Sequence, residues 1–142
     1  MTVGVTEPIL EFRDETELNV QLAKWKQRLQ LNDWVIKAEL VDNIIPQEDG
    51  SQCDGINNVN YANKTAYIKI SHARNAKLVF KKCEELILVH ELIHCIIMAV
   101  ECSERSMEAC VFEEVMHQPV EVVARALLMS EYGLDFNWFM ED

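Results

Sequence analysis

The sequence predicts an α+β domain, and three observations predict it. Leu18, Leu22, Trp25 and Leu29 recur at helical spacing near the N-terminus. Stretches between residues 34 and 71 alternate apolar and polar residues as half-buried strands do. The second half of the chain carries two long helix-period segments, the first of them apolar nearly all round, as a central helix is. A chain of 142 residues suits one domain, spanning 1–142, around one core.

The N-terminal helix is expected from about Glu15 to Gln30, with Asp14 or Thr16 as N-cap and Asp14 with Glu17 as a loose capping box. Residues 1 to 13 carry poor local signals and read as an arm or loop. Trp34 to Val41 is the first strand, with Trp34, Ile36, Ala38 and Leu40 on one face. Residues 42 to 55 hold Asp, Asn, Pro, Gly and Ser and read as a loop. A second strand follows at Ile56 to Tyr61, Asn63-Lys64 is a tight-turn candidate, and Thr65 to Ser71 is the third strand, with Ala66, Ile68 and Ile70 on one face. Three neighbouring strands with short connections suggest a mainly antiparallel meander. A long central helix is expected from about Lys77 to Glu101, a break at Cys102 to Ser106, and a C-terminal helical region from Met107 to Tyr132. Pro119 either kinks that region or opens a new segment. Gly133 is a natural C-cap, and Phe136, Trp138 and Phe139 are expected to pack back on the body.

The formal net charge is −11, and the longest basic run, Lys81-Lys82, is followed after Cys83 by Glu84-Glu85. A surface for duplex nucleic acid or anionic lipid needs a basic stripe, so neither is an expected partner. Five cysteines without a CxxC spacing read as reduced thiols in a cytoplasmic protein. Nothing at the N-terminus resembles a signal peptide, and the most apolar window, Leu86 to Val100, is too short for a bilayer and carries two His and a Glu. A monomer or weak homo-oligomer is expected.

The chemistry sits in His90-Glu91-Leu92-Ile93-His94. Two histidines four apart on a helix lie on one face, one turn apart, and both imidazoles can reach one ion. Glu91 can then accept a proton from a water that the ion acidifies. Two His and a Glu on a buried helix are costly unless something satisfies them; a polar pocket holding two hydrogen-bonded histidines is the competing reading. A catalytic zinc usually has a third protein ligand. An antiparallel return of the chain after Cys102 to Ser106 passes the site near residues 112 to 121, where Glu113, Glu114, His117 and Glu121 are candidates. Weaker candidates are His72, to orient a substrate, and Tyr61, Tyr67 and Tyr132, to donate to an oxyanion. Cys95, Trp25 and Trp34 read as core, and Lys81 and Lys82 as a solvated face.

The His-Glu-x-x-His segment resembles that of the zincin metallopeptidases. The order of elements, with a Trp-initiated strand, a long loop, the strand Ala66-Tyr67-Ile68-Lys69-Ile70 and then the metal helix, looks like the minimal single-domain zincins of phages and prokaryotes, some called minigluzincins. The resemblance covers roughly residues 15 to 130, and only residues 88 to 96 match a tight motif. It implies a small zincin-like fold, a Zn2+ ion held by His90 and His94, Glu91 as general base, and a peptide or protein substrate. It also implies that residues 65 to 71 bind the substrate backbone by edge pairing. Among the third-ligand candidates, His117 aligns with the place where relatives carry an acidic ligand, ahead of a Val-x-x-x-Ala-x-x-Leu-like helix, here Val120 to Leu127. Glu114 lies at the spacing seen in larger gluzincins. A His at 117 departs from the Glu-ligand pattern.

Other readings compete with the peptidase. A metal-stabilised regulatory or interaction protein with little turnover fits the small size. A peptide deformylase needs an upstream Cys in a Glu-Gly-Cys-Leu-Ser-like loop, which Ser51-Gln52-Cys53-Asp54-Gly55 does not match. A DNA-associated protease of the SprT-like kind fits poorly with the acidity and the lack of a Cys-rich zinc ribbon.

Overall fold

The computed structural model describes residues 7–42, 54–72, 82–103 and 109–140, with the side chains of residues 98–117 outside the description. Along the chain run α1 (Glu15–Arg28), β1 (Val35–Val41), β2 (Gly55–Asn60), β3 (Thr65–Ser71), α2 (Glu84–Ser103), α3 (Ala109–Tyr132) and a closing 3-10 turn (Phe136–Met140). The expected α+β architecture is present, with an N-terminal helix, three strands, a long central helix and a C-terminal helix.

Helix α1 starts where its capping residues put it. Asp14 is extended and its carboxylate accepts from the backbone N–H of Glu17 at 2.9 Å. Glu17 in turn accepts from the N–H of Arg13 at 3.0 Å, a reciprocal cap of the expected kind. At the other end Gln30 adopts a left-handed φ of 58°. The N–H of Leu31 donates to the carbonyl of Lys26 at 2.8 Å, the Schellman closure. The helix therefore stops at Arg28. Leu18, Leu22 and Trp25 form its buried stripe.

The sheet is not the expected meander. Its order is β1-β3-β2; β1 pairs parallel with β3, and β2 pairs antiparallel with β3. Alternation identified the strands but carries no information on their order. Composition decides it: β3 buries Ala66, Ile68, Ile70 and Ser71 and takes the centre, whereas β2, Gly-Ile-Asn-Asn-Val-Asn, is polar enough to serve as an edge. A parallel neighbour needs a crossover of about a dozen residues or more, and the span from Val41 to Thr65 provides it. The expectation that residues 65 to 71 pair with a substrate at a sheet edge fails for the same reason: both sides of β3 are already hydrogen-bonded. The β2–β3 turn falls where Asn63-Lys64 predicted it, with Lys64 at a φ of 52°.

Helices α1 and α2 cover one face of the sheet, and α3 packs on α2. Leu88, Val89 and Leu92 of α2 meet Ile68 and Ile70 of the sheet and Ala124 and Leu128 of α3 in one core. Each of the larger aliphatic side chains contributes about 1.5–3 kcal/mol by leaving water. Helix α3 runs unbroken through Pro119. Gly133, at a φ of 67°, follows it as the expected cap, and Phe139 is buried and Trp138 packs beside it, while Phe136 stays exposed.

Helix α2 begins at Glu84; Lys82 and Cys83, expected within it, are not helical, and residues 77–81 lie outside the described residues. The N-terminal arm sets this boundary. The N–H groups of Glu84 and Glu85 donate to the carbonyls of Leu10 and Ile9 at 3.0 and 3.1 Å. Their carboxylates accept from the N–H groups of Phe12 and Ile9 at 2.8 and 2.9 Å. Arm and helix thus satisfy each other's backbone groups, the helix's first donors included. Glu85 also accepts from Trp25 Nε1, Tyr132 Oη and Lys24 Nζ, which ties α1 and α3 to the same point.

Candidate metal centre

Helix α2 carries His90, Glu91 and His94 in its second and third turns, and the three donor groups lie within 4.8 Å of one another. His90 and Glu91 are each 7 % exposed, and His94 is half-buried, so the group opens to solvent on the His94 side. The Nε2 atoms of the two histidines stand 3.2 Å apart. Two imidazole nitrogens bound to one tetrahedral zinc, with Zn–N of about 2.0–2.1 Å, stand about 3.3 Å apart. Spacing and donor chemistry both suit a divalent ion of that kind.

The opposite edge of the His90 ring is occupied. Its Nδ1 lies 2.6 Å from Glu121 Oε2 on α3. An ionised carboxylate only accepts, so Nδ1–H donates, and the tautomer this bond selects is the one with its lone pair on Nε2, facing His94. A carboxylate behind a histidine in this way fixes both tautomer and ring orientation. Glu121 is held in turn by Arg125 one turn on, whose Nε lies 3.5 Å from Glu121 Oε1 and whose guanidinium sits 5.7 Å from the Phe136 ring centre.

Of the four candidates for a third ligand, Glu121 is placed away from that role, since it meets Nδ1 and not the Nε2 side. Glu113, Glu114 and His117 lie on α3, with side chains outside the described residues. Two helices joined by a short connection and packed on each other run antiparallel. Moving from His90 to His94 along α2 therefore means moving from Glu121 back toward position 117 along α3.

Strand β2 flanks the other side of the motif. The Asn57 amide donates to the Glu91 carbonyl at 2.8 Å, and Tyr61 Oη donates to the His94 carbonyl at 3.3 Å. A Cβ at Gly55 would come within 2.7 Å of Ile87 Cγ2 and 3.3 Å of Glu91 Cγ, so glycine allows the close approach there. Cys95 is buried, as expected, and burial raises its thiol pKa, which keeps it a neutral core group.

The weaker candidates lie elsewhere. His72 Nδ1 pairs with the buried Glu84 at 2.9 Å, about 9 Å along the helix from His90 at 1.5 Å per residue. Tyr132 is engaged by Glu85 and Lys24. Tyr67 faces Glu39, whose carboxylate accepts from it and pushes its pKa up. Lys82 donates to the Ser71 carbonyl at 2.8 Å instead of facing solvent alone, and Lys81 lies outside the described residues. Trp25 is fully buried, and Trp34 packs against the core from a half-buried position. A cleft of about 510 Å3 lined by Trp34, Tyr61, Lys64, Cys95 and Ile96 opens on another side of α2 from the histidines.

Sequence reasoning did not single out Gly55, Asn57 or Arg125, and it weighed Glu121 only as one of four candidates for a third ligand. An isolated glycine and three asparagines in the strand Gly55–Asn60 were the available signal, because those residues disfavour strands. Cys83 and Cys95 are free and buried. Among the described residues no helix is long and apolar enough to cross a membrane. No family model, curated protein or solved structure matches the chain.

Proposed function

We propose that this chain is a zinc-dependent peptide-bond hydrolase of the zincin kind, acting on peptides or proteins in the cytoplasm, with Glu91 as general base. The observation that carries this reading is the 3.2 Å approach of the His90 and His94 Nε2 atoms, with Glu121 on the back of the His90 ring. A histidine pair that only packs has no need of a carboxylate that turns the Nε2 of one ring toward the other.

His90 and His94 hold the ion, with His117 as third ligand, supported by its position one turn before Glu121 on the antiparallel helix. Zinc, when bound, supplies a Lewis acid that acidifies water and polarises the carbonyl under attack. Glu91 takes the proton from the attacking water on its carboxylate and passes it to the leaving amine. Its burial excludes competing solvent and places the acceptor within 4.8 Å of both imidazole donors. Glu121 keeps the His90 ring in the tautomer that leaves Nε2 available.

The test is hydrolysis of fluorescently labelled casein by zinc-loaded protein. Glu91→Gln is expected to keep about one zinc per chain and to lose turnover by about a thousandfold or more. Unchanged turnover in that variant removes Glu91 from the role. Tight zinc with no turnover in the wild-type chain favours the metal-stabilised regulatory protein instead.

A further inference from the structure

We propose that Asn57 and Gly55 of β2 are positioning residues that set the direction of the Glu91 carboxylate; this rests on the reading of Glu91 as general base. Residues 55 and 57 project from β2 onto a single row of α2, formed by Ile87, Glu91 and Cys95. Asn57 Nδ2 donates to the Glu91 carbonyl at 2.8 Å and lies 3.5 Å from Cys95 Sγ. That carbonyl is also in the path of the helix's own i to i+4 bonding, so Asn57 adds a second donor. The amide anchors the Glu91 backbone to the strand rather than completing the helix.

Gly55 acts on the side chain. The position its Cβ would take lies 3.3 Å from Glu91 Cγ and 3.5 Å from Cδ. Glycine brings the bare strand backbone alongside the Glu91 stem, as a wall about one methyl group away that limits the stem's swing toward β2. With the helix carbonyl fixed on one side and this wall on the other, the carboxylate is directed toward the histidines. The local cost supports a role beyond packing. Strand β2 contains Gly55, Asn57, Asn58 and Asn60, all poor strand formers. Asn57 also buries its Oδ1 with no hydrogen-bond partner among the described residues, an arrangement a plain core would avoid. Departures from local preference of this kind mark functional positions.

The experiment compares wild-type protein with Asn57→Asp, which keeps the shape and loses the donor, and Gly55→Ala, which fills the gap. Two quantities are read. In metal-free, isotope-labelled protein, three-bond couplings report the Glu91 χ1 rotamer: one rotamer is expected in the wild type, and averaging or a different rotamer in each variant. In zinc-loaded protein with labelled casein, kcat is expected to fall about tenfold or more, with KM and zinc content unchanged. A single unchanged Glu91 rotamer, or unchanged kcat, in a folded variant overturns the proposal. So does a joint loss of zinc, KM and melting temperature in both variants, because that is a structural role. If the wild type shows the locked rotamer but neither binds zinc nor cleaves casein, the hydrolase reading fails and takes the catalytic part of this proposal with it, while the contact stands.

Discussion

His90 is held at both ring nitrogens, and the two contacts have different consequences. Loss of the Nδ1 partner through Glu121→Ala frees the ring to change tautomer. Zinc affinity is then expected to fall about 10- to 100-fold, measured by competition with a chromophoric chelator. His117→Ala is expected to weaken zinc more than Glu113→Ala or Glu114→Ala does; equal effects would remove His117 from the coordination sphere. At this scale the His90, Glu91 and His94 cluster was legible, because a spacing of four on one helix encodes proximity without knowledge of the rest of the fold. Glu121 was not legible in its observed place. Which nitrogen a residue 31 positions away meets depends on how α3 packs on α2, and no local pattern records that. Asn57 and Gly55 depend on the β2–α2 approach in the same way.

The elements were legible where their limits are chemical and local. Asp14 and Gly133 mark ends through a cap and a left-handed backbone, whereas Gln30, expected as the last helical residue, lies past the end of α1 in a left-handed conformation that its residue type does not announce. The start of α2 was not, because the arm at Ile9 to Phe12 caps it from far away in sequence. That clasp ties residues 9–12 to the start of α2 and seats Phe12 in the core. Phe12 is 1 % exposed. Phe12→Ala is expected to cost about 3–5 kcal/mol, read from chemical denaturation. A loss under about 1 kcal/mol would mean the arm is only loosely attached. Strand order was illegible for a related reason. Period-2 alternation assigns faces, whereas the centre of the sheet goes to the strand with most apolar surface to bury, here β3.

For the whole molecule, pH links folding to the buried thiols. Burial raises Cys83 to about 12, against about 8.5 in an unfolded chain. The folded state therefore prefers the protonated thiol. Its contribution is complete below the unfolded value and declines as pH rises from about 9 toward 12, by about 1.4 kcal/mol per pH unit. Cys95 and Tyr132, also shifted upward mainly by burial, act in the same direction. Cys83→Ala should flatten this alkaline decline in denaturation curves taken between pH 8 and 11; an equal slope in both proteins would contradict it. Zinc should act on the same equilibrium, adding about 2.7 kcal/mol when free metal is a hundredfold above its dissociation constant.

The most direct measurement is metal content. Zinc-reconstituted, exhaustively dialysed wild-type protein and His94→Ala are compared by elemental analysis, with circular dichroism to establish equal folding. About one zinc per chain in the wild type, lost in His94→Ala, is the predicted result. No stoichiometric zinc in the wild type, or the same zinc in both proteins, would contradict a metal centre at His90 and His94.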